Sequence, residues 1–167
     1  VAANNRAAGF IAAGRIKPAQ DLLVQCLPRA TENRDVLFNM GLVYFIQNDF
    51  RQACDFFDKV RQLKDKATGP VFLNAYCLYQ LVDYPQAQAL FQDVVTQDVT
   101  DLASRFNIGL CQLRLGQFAE AIATFSAILF ISPEDAEALV ARGLAHWYSK
   151  NEKEAFDDLN LAIKKQP

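Results

Sequence analysis

The chain has 167 residues, a formal net charge of −2 and a hydrophobic fraction of 51%. Because the balance is slightly acidic and no long basic run occurs, nucleic acid and anionic membrane surfaces are not expected as partners. No apolar stretch reaches the length of a membrane span, so direct insertion into a bilayer is not expected either.

A period of 34 residues runs along the whole chain. Alanine recurs five times at this spacing, and a small residue stands twelve positions before each alanine: Ala19, Ala53, Ala87, Ala121 and Ala155, preceded by Ala7, Gly41, Ala75, Gly109 and Gly143. Apolar residues three and four positions apart around each pair indicate two short amphipathic helices. A fixed period of this length is typical of stacked helical hairpins, whose small residues allow close helix packing.

The predicted helices come in pairs along the chain: 2–13 with 17–28, 35–47 with 51–63, 69–81 with 85–96, 102–114 with 118–130, and 136–148 with 152–165. Pro18 and Pro85 fall in the first turn of second helices, where a missing amide hydrogen costs little. Asp49 and Asp83 are predicted caps of second helices. The pairs define five repeats in a single domain, at about 1–33, 34–67, 68–101, 102–135 and 136–167.

These units resemble the tetratricopeptide repeat (TPR). The fourth unit places Ile108, Gly109, Ala121, Phe125 and Pro133 on the family positions, and the resemblance extends over essentially the whole chain. It implies an all-α fold, a right-handed superhelical solenoid of five antiparallel helix hairpins whose first helices line a concave groove. Since the sequence starts without a methionine, it is interpreted as a fragment of a longer protein.

An apolar stripe recurs on the predicted first helices, at positions spaced by four and three. The predicted partner-binding residues are drawn from this stripe and from its neighbours: Phe38, Asn39, Leu42, Phe45, Phe72, Tyr76, Tyr79, Phe106, Asn107, Leu110, Arg114, Leu144 and Trp147. The stripe can serve packing between neighbouring first helices, and we weighed that role against binding. The binding role is favoured, because its middle position is Leu42, Tyr76, Leu110 and Leu144, where family members often carry a polar residue.

Polar residues beside the stripe refine this expectation. Asn39 and Asn107 occupy the position from which asparagines of some peptide-binding relatives contact the peptide backbone, although the family consensus also favours asparagine there. Phenylalanines stand where the carboxylate clamp of chaperone-binding relatives needs a lysine, and Arg114 is the main basic residue expected in the groove. An apolar partner segment is therefore favoured over a charged peptide terminus.

No catalytic motif, metal-ligand spacing or phosphate-binding loop is present, so neither enzymatic activity nor a cofactor or metal is expected. His146 is interpreted as structural. Asp157 and Asp158, like Glu152 and Glu154, are interpreted as acids at a helix start that complement the helix dipole. The four cysteines lie within predicted helices without paired spacing, which favours packing roles and a reducing, cytoplasmic location.

The sequence thus predicts a protein–protein interaction scaffold or adaptor that binds an amphipathic helix or apolar segment of a partner within a multiprotein complex. Two alternatives remain open, namely a secretion-type TPR chaperone for an apolar client and a substrate-recruiting array of a larger enzyme. Self-association is also possible, since Phe156, Leu161 and Ile163 on the last helix have no further helix to cover them.

Overall fold

A computed structural model describes residues 2–63 and 67–165, and within these ranges it contains ten α-helices and no β-strand. The helices are α1 (Ala2–Ala12), α2 (Ile16–Cys26), α3 (Arg34–Ile46), α4 (Phe50–Gln62), α5 (Thr68–Gln80), α6 (Tyr84–Gln97), α7 (Leu102–Arg114), α8 (Phe118–Ile131), α9 (Ala136–Tyr148) and α10 (Glu152–Lys165). The all-α prediction and the order of its helices are confirmed. Residue 1, where the first predicted repeat begins, and residue 167, where the last one ends, lie outside the described ranges.

The second helix differs most from its predicted bounds. It ends at Cys26 rather than at residue 28, and one turn of 3₁₀ helix follows at Leu27–Arg29. Pro28 explains the change because it has no amide hydrogen to continue the intrahelical hydrogen bonds of α2.

The chain divides into two compact units, residues 1–83 with α1 to α5 and residues 84–167 with α6 to α10. In the first unit α1 packs on α2, α3 on α4, and α4 on α5. In the second unit each helix packs on the next along the chain, from α6 to α10. The prediction that all five repeats form a single domain stays a prediction.

Small residues on the first helices lie against large residues on the second helices. A Cβ atom added to Gly41 would stand 2.5 Å from the ring of Phe57, and one added to Gly109 would stand 2.6 Å from the ring of Phe125. Both rings are fully buried. The glycines are therefore required by the close approach of α3 to α4 and of α7 to α8.

The turns within the hairpins share one backbone conformation. A residue with positive φ occurs once in each, at intervals of 34 residues: Gly14 (70°), Asn48 (59°), Val82 (67°), Gly116 (74°) and Lys150 (63°). In each turn the next residue donates its N–H to a carbonyl five positions back, as from Asp49 to Tyr44. This left-handed residue ends the first helix and reverses the chain.

Side-chain caps fix the starts of several helices. Asp49 accepts from the N–H of Gln52 at the start of α4, as predicted. Caps that were not predicted recur before first helices, where Asn33, Asp101 and Asp135 accept from the N–H three residues later. These oxygens satisfy amide groups that the helix itself leaves without partners.

Candidate functional site

The predicted partner-binding residues lie on first helices in both units. Seven of them form the α3/α5 face in the first unit: Phe38, Asn39, Leu42, Phe45, Phe72, Tyr76 and Tyr79. The remaining six lie on α7 and α9 in the second unit: Phe106, Asn107, Leu110, Arg114, Leu144 and Trp147. The two sets are described separately.

The rings of the α3/α5 face contact one another across the two helices. The centroid of Phe45 lies 5.6 Å from that of Tyr76 and 5.9 Å from that of Phe50 on α4. Phe38 lies 5.9 Å from the buried ring of Phe57. All of these stripe residues keep part of their surface exposed. The face therefore contributes to packing and also presents aromatic surface to solvent.

A more open groove lies between α7 and α9. A cavity of about 380 Å³ toward the start of α9 and one of about 290 Å³ toward the end of α7 share three leucines, Leu110, Leu113 and Leu144. Together they are lined by Phe106, Leu110, Leu113, Arg114, Phe118, Ala136, Glu137, Val140, Ala141, Leu144 and Tyr148. We call this continuous surface the α7/α9 groove.

Apolar surface on the α9 wall of this groove is exposed. Leu144 is 42% exposed, and Trp147, one turn further along α9, is 54% exposed. Val140 lies one turn before Leu144 and is exposed as well. Three large apolar side chains thus follow each other at spacings of four and three on one helix face, and all three are accessible to solvent.

The two ends of the α7/α9 groove differ in charge. Glu137, in the first turn of α9, lines the larger cavity, and Arg114, the last residue of α7, lines the smaller one. Both side chains belong to exposed residues. The groove therefore has an acidic end and a basic end, separated by an apolar middle.

The two predicted asparagines make hydrogen bonds within the protein. Asn39 is buried and donates its Nδ2 hydrogen to Oδ1 of Asn4, 2.9 Å away. Asn107 is partly exposed and donates to the carbonyl oxygen of Ala103 at 2.8 Å. Contact of either amide with a partner's backbone stays a prediction, and Asn107 is the more accessible of the two.

Two cysteines that the sequence left unpaired lie together in the first unit. The thiol of Cys77 on α5 hydrogen-bonds the sulfur of Cys54 on α4, which lowers the pKa of Cys54 and raises that of Cys77. In the second unit burial raises the pKa of Cys111 to about 12. All three are free and buried, in agreement with the predicted packing roles.

An ion pair joins α9 to α10. Arg142 donates to both carboxylate oxygens of Asp158, at 2.7 and 2.6 Å, and to the hydroxyl of Ser126 on α8 at 3.1 Å. The hydrogen bonds that Arg142 donates to the Asp158 carboxylate raise the pKa of the guanidinium. Asp158 is buried and lies beyond the first turn of α10, so its interpretation as a helix-dipole acid was wrong. The acids in that first turn are Glu152 and Glu154, and Asp157 lies beyond it as well. Residues 142 and 158 lie on different helices, and local spacing gave no signal of their contact.

Metal-ligating side chains do not cluster in the part of the chain that the structure describes, where no three of His, Cys, Asp and Glu stand close enough to hold an ion. None of the helices in residues 2–63 and 67–165 combines the length and the apolar character needed to cross a membrane.

Comparison with curated proteins gives distant relatives. The chain is 26% identical over 147 residues to a BBSome complex member BBS4 homolog of Drosophila melanogaster, with 87% of this chain and 30% of the relative covered. It is 27% identical over 97 residues to DnaJ homolog subfamily C member 7 of Homo sapiens, with 58% and 20% covered. The chain thus spans less than a third of the length of either relative.

Solved structures with the same fold cover almost the whole chain. YrrB, described as a TPR protein with an unusual peptide-binding site, superposes with a TM-score of 0.90 at 23% identity, covering 99% of this chain and 85% of YrrB. MamA 41-end from Desulfovibrio magneticus RS-1 superposes with a TM-score of 0.91 at 18% identity, covering 98% of this chain and 93% of that one. At sequence identities of 18% and 23%, the superpositions show that this chain has the same fold as these proteins.

Sequence models of one family match within both units. Tetratricopeptide repeat models match residues 35–63 and 73–136, which together make up more than half of the chain. The TPR fold is a scaffold for contacts between proteins. The family matches, the 34-residue period and the superposed structures agree, and the chain belongs to the tetratricopeptide repeat family.

Proposed function

We propose that this chain is a non-catalytic interaction module that binds the apolar face of an amphipathic helix from a partner protein in the α7/α9 groove. The single observation that carries the proposal is the exposed row of Val140, Leu144 and Trp147 beside two adjoining apolar cavities. The α3/α5 face is proposed as a further apolar contact surface. The chain serves, on this proposal, within a multiprotein complex.

The dimensions of the α7/α9 groove suit a short helix. Its walls are helices of 13 residues, which are about 20 Å long at 1.5 Å per residue. A partner helix of three to four turns matches this length and presents apolar side chains at positions i, i+3 or i+4, and i+7. Each large side chain that it buries contributes about 1.5–3 kcal/mol before ordering costs are subtracted.

Charge at the two ends specifies the partner further. Glu137 favours a basic residue at one end of the bound helix, and Arg114 favours an acidic residue at the other. Such rim charges add little affinity but fix the direction in which a partner lies and speed its association. An amphipathic helix with charges of opposite sign at its two ends is therefore the preferred occupant.

The relatives are consistent with a peptide or protein ligand. The solved structure of YrrB is described as having an unusual peptide-binding site, and one curated relative is a BBSome complex member homolog. Both relatives are distant, so they support a peptide or protein as the class of ligand. The kind of partner is inferred from the chemistry of the α7/α9 groove itself.

A displayed library of amphipathic helical peptides of 15–20 residues tests the proposal. Selected peptides are expected to carry the i, i+3/i+4, i+7 apolar pattern, and the double variant Leu144→Glu with Trp147→Glu is expected to bind them at least about 10-fold more weakly, a loss of about 1.4 kcal/mol. Both residues are exposed, so circular dichroism should show unchanged helical content.

The matched control is Phe130→Glu, which places the same charge on a residue of α8 that is 88% exposed and does not line the groove. It is expected to bind the selected peptides like the unchanged protein. If the groove variant binds equally well, or if the library yields no helical binder, the α7/α9 groove is not the recognition site.

A further inference from the structure

A third cavity continues the α7/α9 groove beyond its acidic end. It measures about 370 Å³ and shares Phe106 and Glu137 with the larger cavity of the groove. Asn107 on α7 and Asp135, the N-cap of α9, also line it. We call it the acidic cavity. The three cavities follow one another along α7, and the acidic cavity lies at the end where both α7 and α9 begin.

The polar side chains around the acidic cavity offer hydrogen-bond acceptors. The carboxylate of Glu137 is an acceptor only, and this residue is exposed. Asp135 uses Oδ1 to accept from the N–H of Ala138 at 2.9 Å, and its other carboxylate oxygen is not part of that bond. Asn107 donates through Nδ2 to the carbonyl oxygen of Ala103, so its own oxygen is the amide atom that can accept. Such a set suits a positively charged group with several N–H donors, as lysine and arginine carry.

The two walls of the groove run in the same direction. Asn107 lies in the first half of α7 and Glu137 in the first turn of α9, whereas Arg114 is the last residue of α7. The amino ends of both helices therefore lie at the acidic cavity, and each amino end carries a partial positive charge. A helix bound between them is stabilised by the opposite direction, because its partially negative carboxyl end then lies beside the two amino ends.

The side-chain charges of a partner favour the same direction. Within any helix, basic residues stabilise the last turn and acidic residues stabilise the first turn. An antiparallel partner brings its basic last turn to Asp135 and Glu137 and its acidic first turn to Arg114. A parallel partner with the same fit would need basic residues in its first turn, against its own dipole. Backbone dipoles and side-chain charges thus agree on one direction.

We propose that the partner helix lies antiparallel to α7 and α9 and ends in a lysine or arginine whose side chain enters the acidic cavity. This inference rests on the proposed function and deepens it by assigning the direction of the helix and a polar anchor. Asn107 precedes Leu110 by three residues, which is about 4.5 Å along the axis of α7. The basic residue is therefore expected about one turn after the last apolar anchor of the partner.

Glu137 is the residue at which this inference can be tested without disturbing the hairpins. Asp135 caps α9 and so has a structural role of its own. The position of Glu137 is not a cap, and in the preceding repeats it is occupied by Asp35, Gly69 and Ala103. The repeat thus tolerates both charged and uncharged residues there.

Two peptides of equal composition test the direction. Each has about 18 residues, an acetylated amino end, an amidated carboxyl end and leucines spaced by three, four and three, a pattern that is the same in both directions. The acid-first peptide has glutamates in its first turn and lysines in its last turn, and the base-first peptide has the reverse. Calorimetric titration at low ionic strength is expected to show about 5-fold tighter binding of the acid-first peptide.

The variant Glu137→Lys assigns this preference to the acidic cavity. It is expected to lower the ratio of the two affinities by about 10-fold, because the lysines of the acid-first peptide then meet a like charge. The peptides differ in their own helicity, but that difference cancels when the ratio is compared between protein variants. Glu120→Lys is the matched control, since Glu120 is an exposed residue in the first turn of α8 that lines none of the three cavities. It is expected to leave the ratio unchanged.

Trp147 reports the direction itself. It lies ten residues after Glu137 on α9, about 15 Å along the helix axis. A nitroxide on the amino end of the acid-first peptide is expected to quench the emission of Trp147, and the same label on the carboxyl end is expected to leave it almost unchanged. Circular dichroism of each protein variant verifies folding.

The outcomes separate this inference from the proposed function. Equal affinities of the two peptides, a ratio that Glu137→Lys does not change, or stronger quenching from the carboxyl end would overturn the direction and the basic anchor while the groove remains the binding site. If neither peptide binds, or if Leu144→Glu with Trp147→Glu leaves their binding intact, the proposed function fails and this inference fails with it.

Discussion

At the scale of single residues, the hairpin turn imposes its geometry on whatever residue the sequence supplies. Gly14, Gly116 and Asn48 suit a positive φ, because glycine has no Cβ and asparagine tolerates the left-handed region. Val82 and Lys150 occupy the same place in other turns. The glycines and the asparagine allow this turn to be predicted from sequence, whereas the valine does not, since branching at Cβ disfavours the conformation.

Val82→Asn is expected to stabilise the protein by about 1 kcal/mol, because it removes the strain of a β-branched residue with φ of 67°. Val82 is exposed, so little packing is lost. Urea unfolding followed by circular dichroism measures the change. The reciprocal variant Asn48→Val serves as the control and is expected to lose a similar amount. If both variants leave the midpoint unchanged, the turn carries no such strain.

At the scale of helices, a small residue on the first helix lies against a large residue on the second helix in the hairpins within each unit. Glycine stands opposite phenylalanine in the α3–α4 and α7–α8 hairpins, while Gly143 on α9 stands opposite Leu159 on α10. In the first hairpin the corresponding residues are Ala7 and Leu23, both fully buried in one cluster. The first hairpin thus accommodates a methyl group beside Leu23, whereas the rings of Phe57 and Phe125 leave no room for one at Gly41 and Gly109.

Gly109→Ala is expected to destabilise the protein by about 1–3 kcal/mol, because the added Cβ would stand 2.6 Å from the buried ring of Phe125. Gly143→Ala is the matched comparison. Its Cβ would stand 3.1 Å from Leu159, and the gain in helix propensity of about 1 kcal/mol offsets the closer contact. Thermal and urea unfolding of the two variants should separate them clearly. Equal losses at both positions would contradict this account of hairpin spacing.

The ion pair between α9 and α10 leads to a second prediction about helices. Asp158→Ala is expected to cost about 3–5 kcal/mol, because it leaves the partly buried guanidinium of Arg142 without its carboxylate. The double variant Arg142→Met with Asp158→Leu is expected to recover most of that loss, since the equivalent positions in the second hairpin are the buried apolar pair Met40 and Phe56. Denaturant unfolding measures both. A double variant as unstable as the single one would show that the pair is not replaceable by packing.

Helix bounds could be predicted from sequence because a strict period, polar turns and prolines mark every boundary. The polar contacts between helices could not be predicted in this way. Arg142 reaches Asp158, and Asn74 reaches Asp58, across 16 residues of chain and two different helices. The two contacts occupy different places in the repeat, because Asp158 lies on the helix after Arg142 and Asp58 lies on the helix before Asn74. Neither contact can therefore be inferred from the other by comparing repeats.

At the scale of the whole molecule, the TPR fold and the apolar stripe were both predictable from sequence. Which stripe residues pack against other rings and which stay exposed was not predictable. Sequence ranks Phe45 and Leu144 alike, as large apolar residues at stripe positions. In the structure Phe45 packs against Tyr76 and Phe50, whereas Leu144 faces a cavity and water. The two residues differ in exposure because different side chains surround them. The sequence pattern of a single helix does not show which side chains of other helices lie nearby.

Trp147 offers an internal probe of partner binding. It is the single tryptophan in the chain, and its side chain is 54% exposed beside the α7/α9 groove. Binding of an amphipathic helical peptide without tryptophan is expected to shift its emission to shorter wavelengths, because the indole moves from water to an apolar contact. Titration of the Leu144→Glu variant with the same peptide is expected to leave the emission unchanged. A saturating peptide that does not alter the unchanged protein's emission would place binding away from α9.

The shared hairpin turn also constrains how the chain can be shortened. Deletion of residues 117–150 joins Gly116, with its positive φ, to Asn151, which already follows such a residue in Lys150. It also sets Gly109 opposite Leu159, as Gly143 is now. A deletion of one residue more or fewer turns every later side chain by about 100° around its helix axis. Viable lengths of this protein are therefore expected to differ by multiples of 34, so that whole repeats are gained or lost as modules.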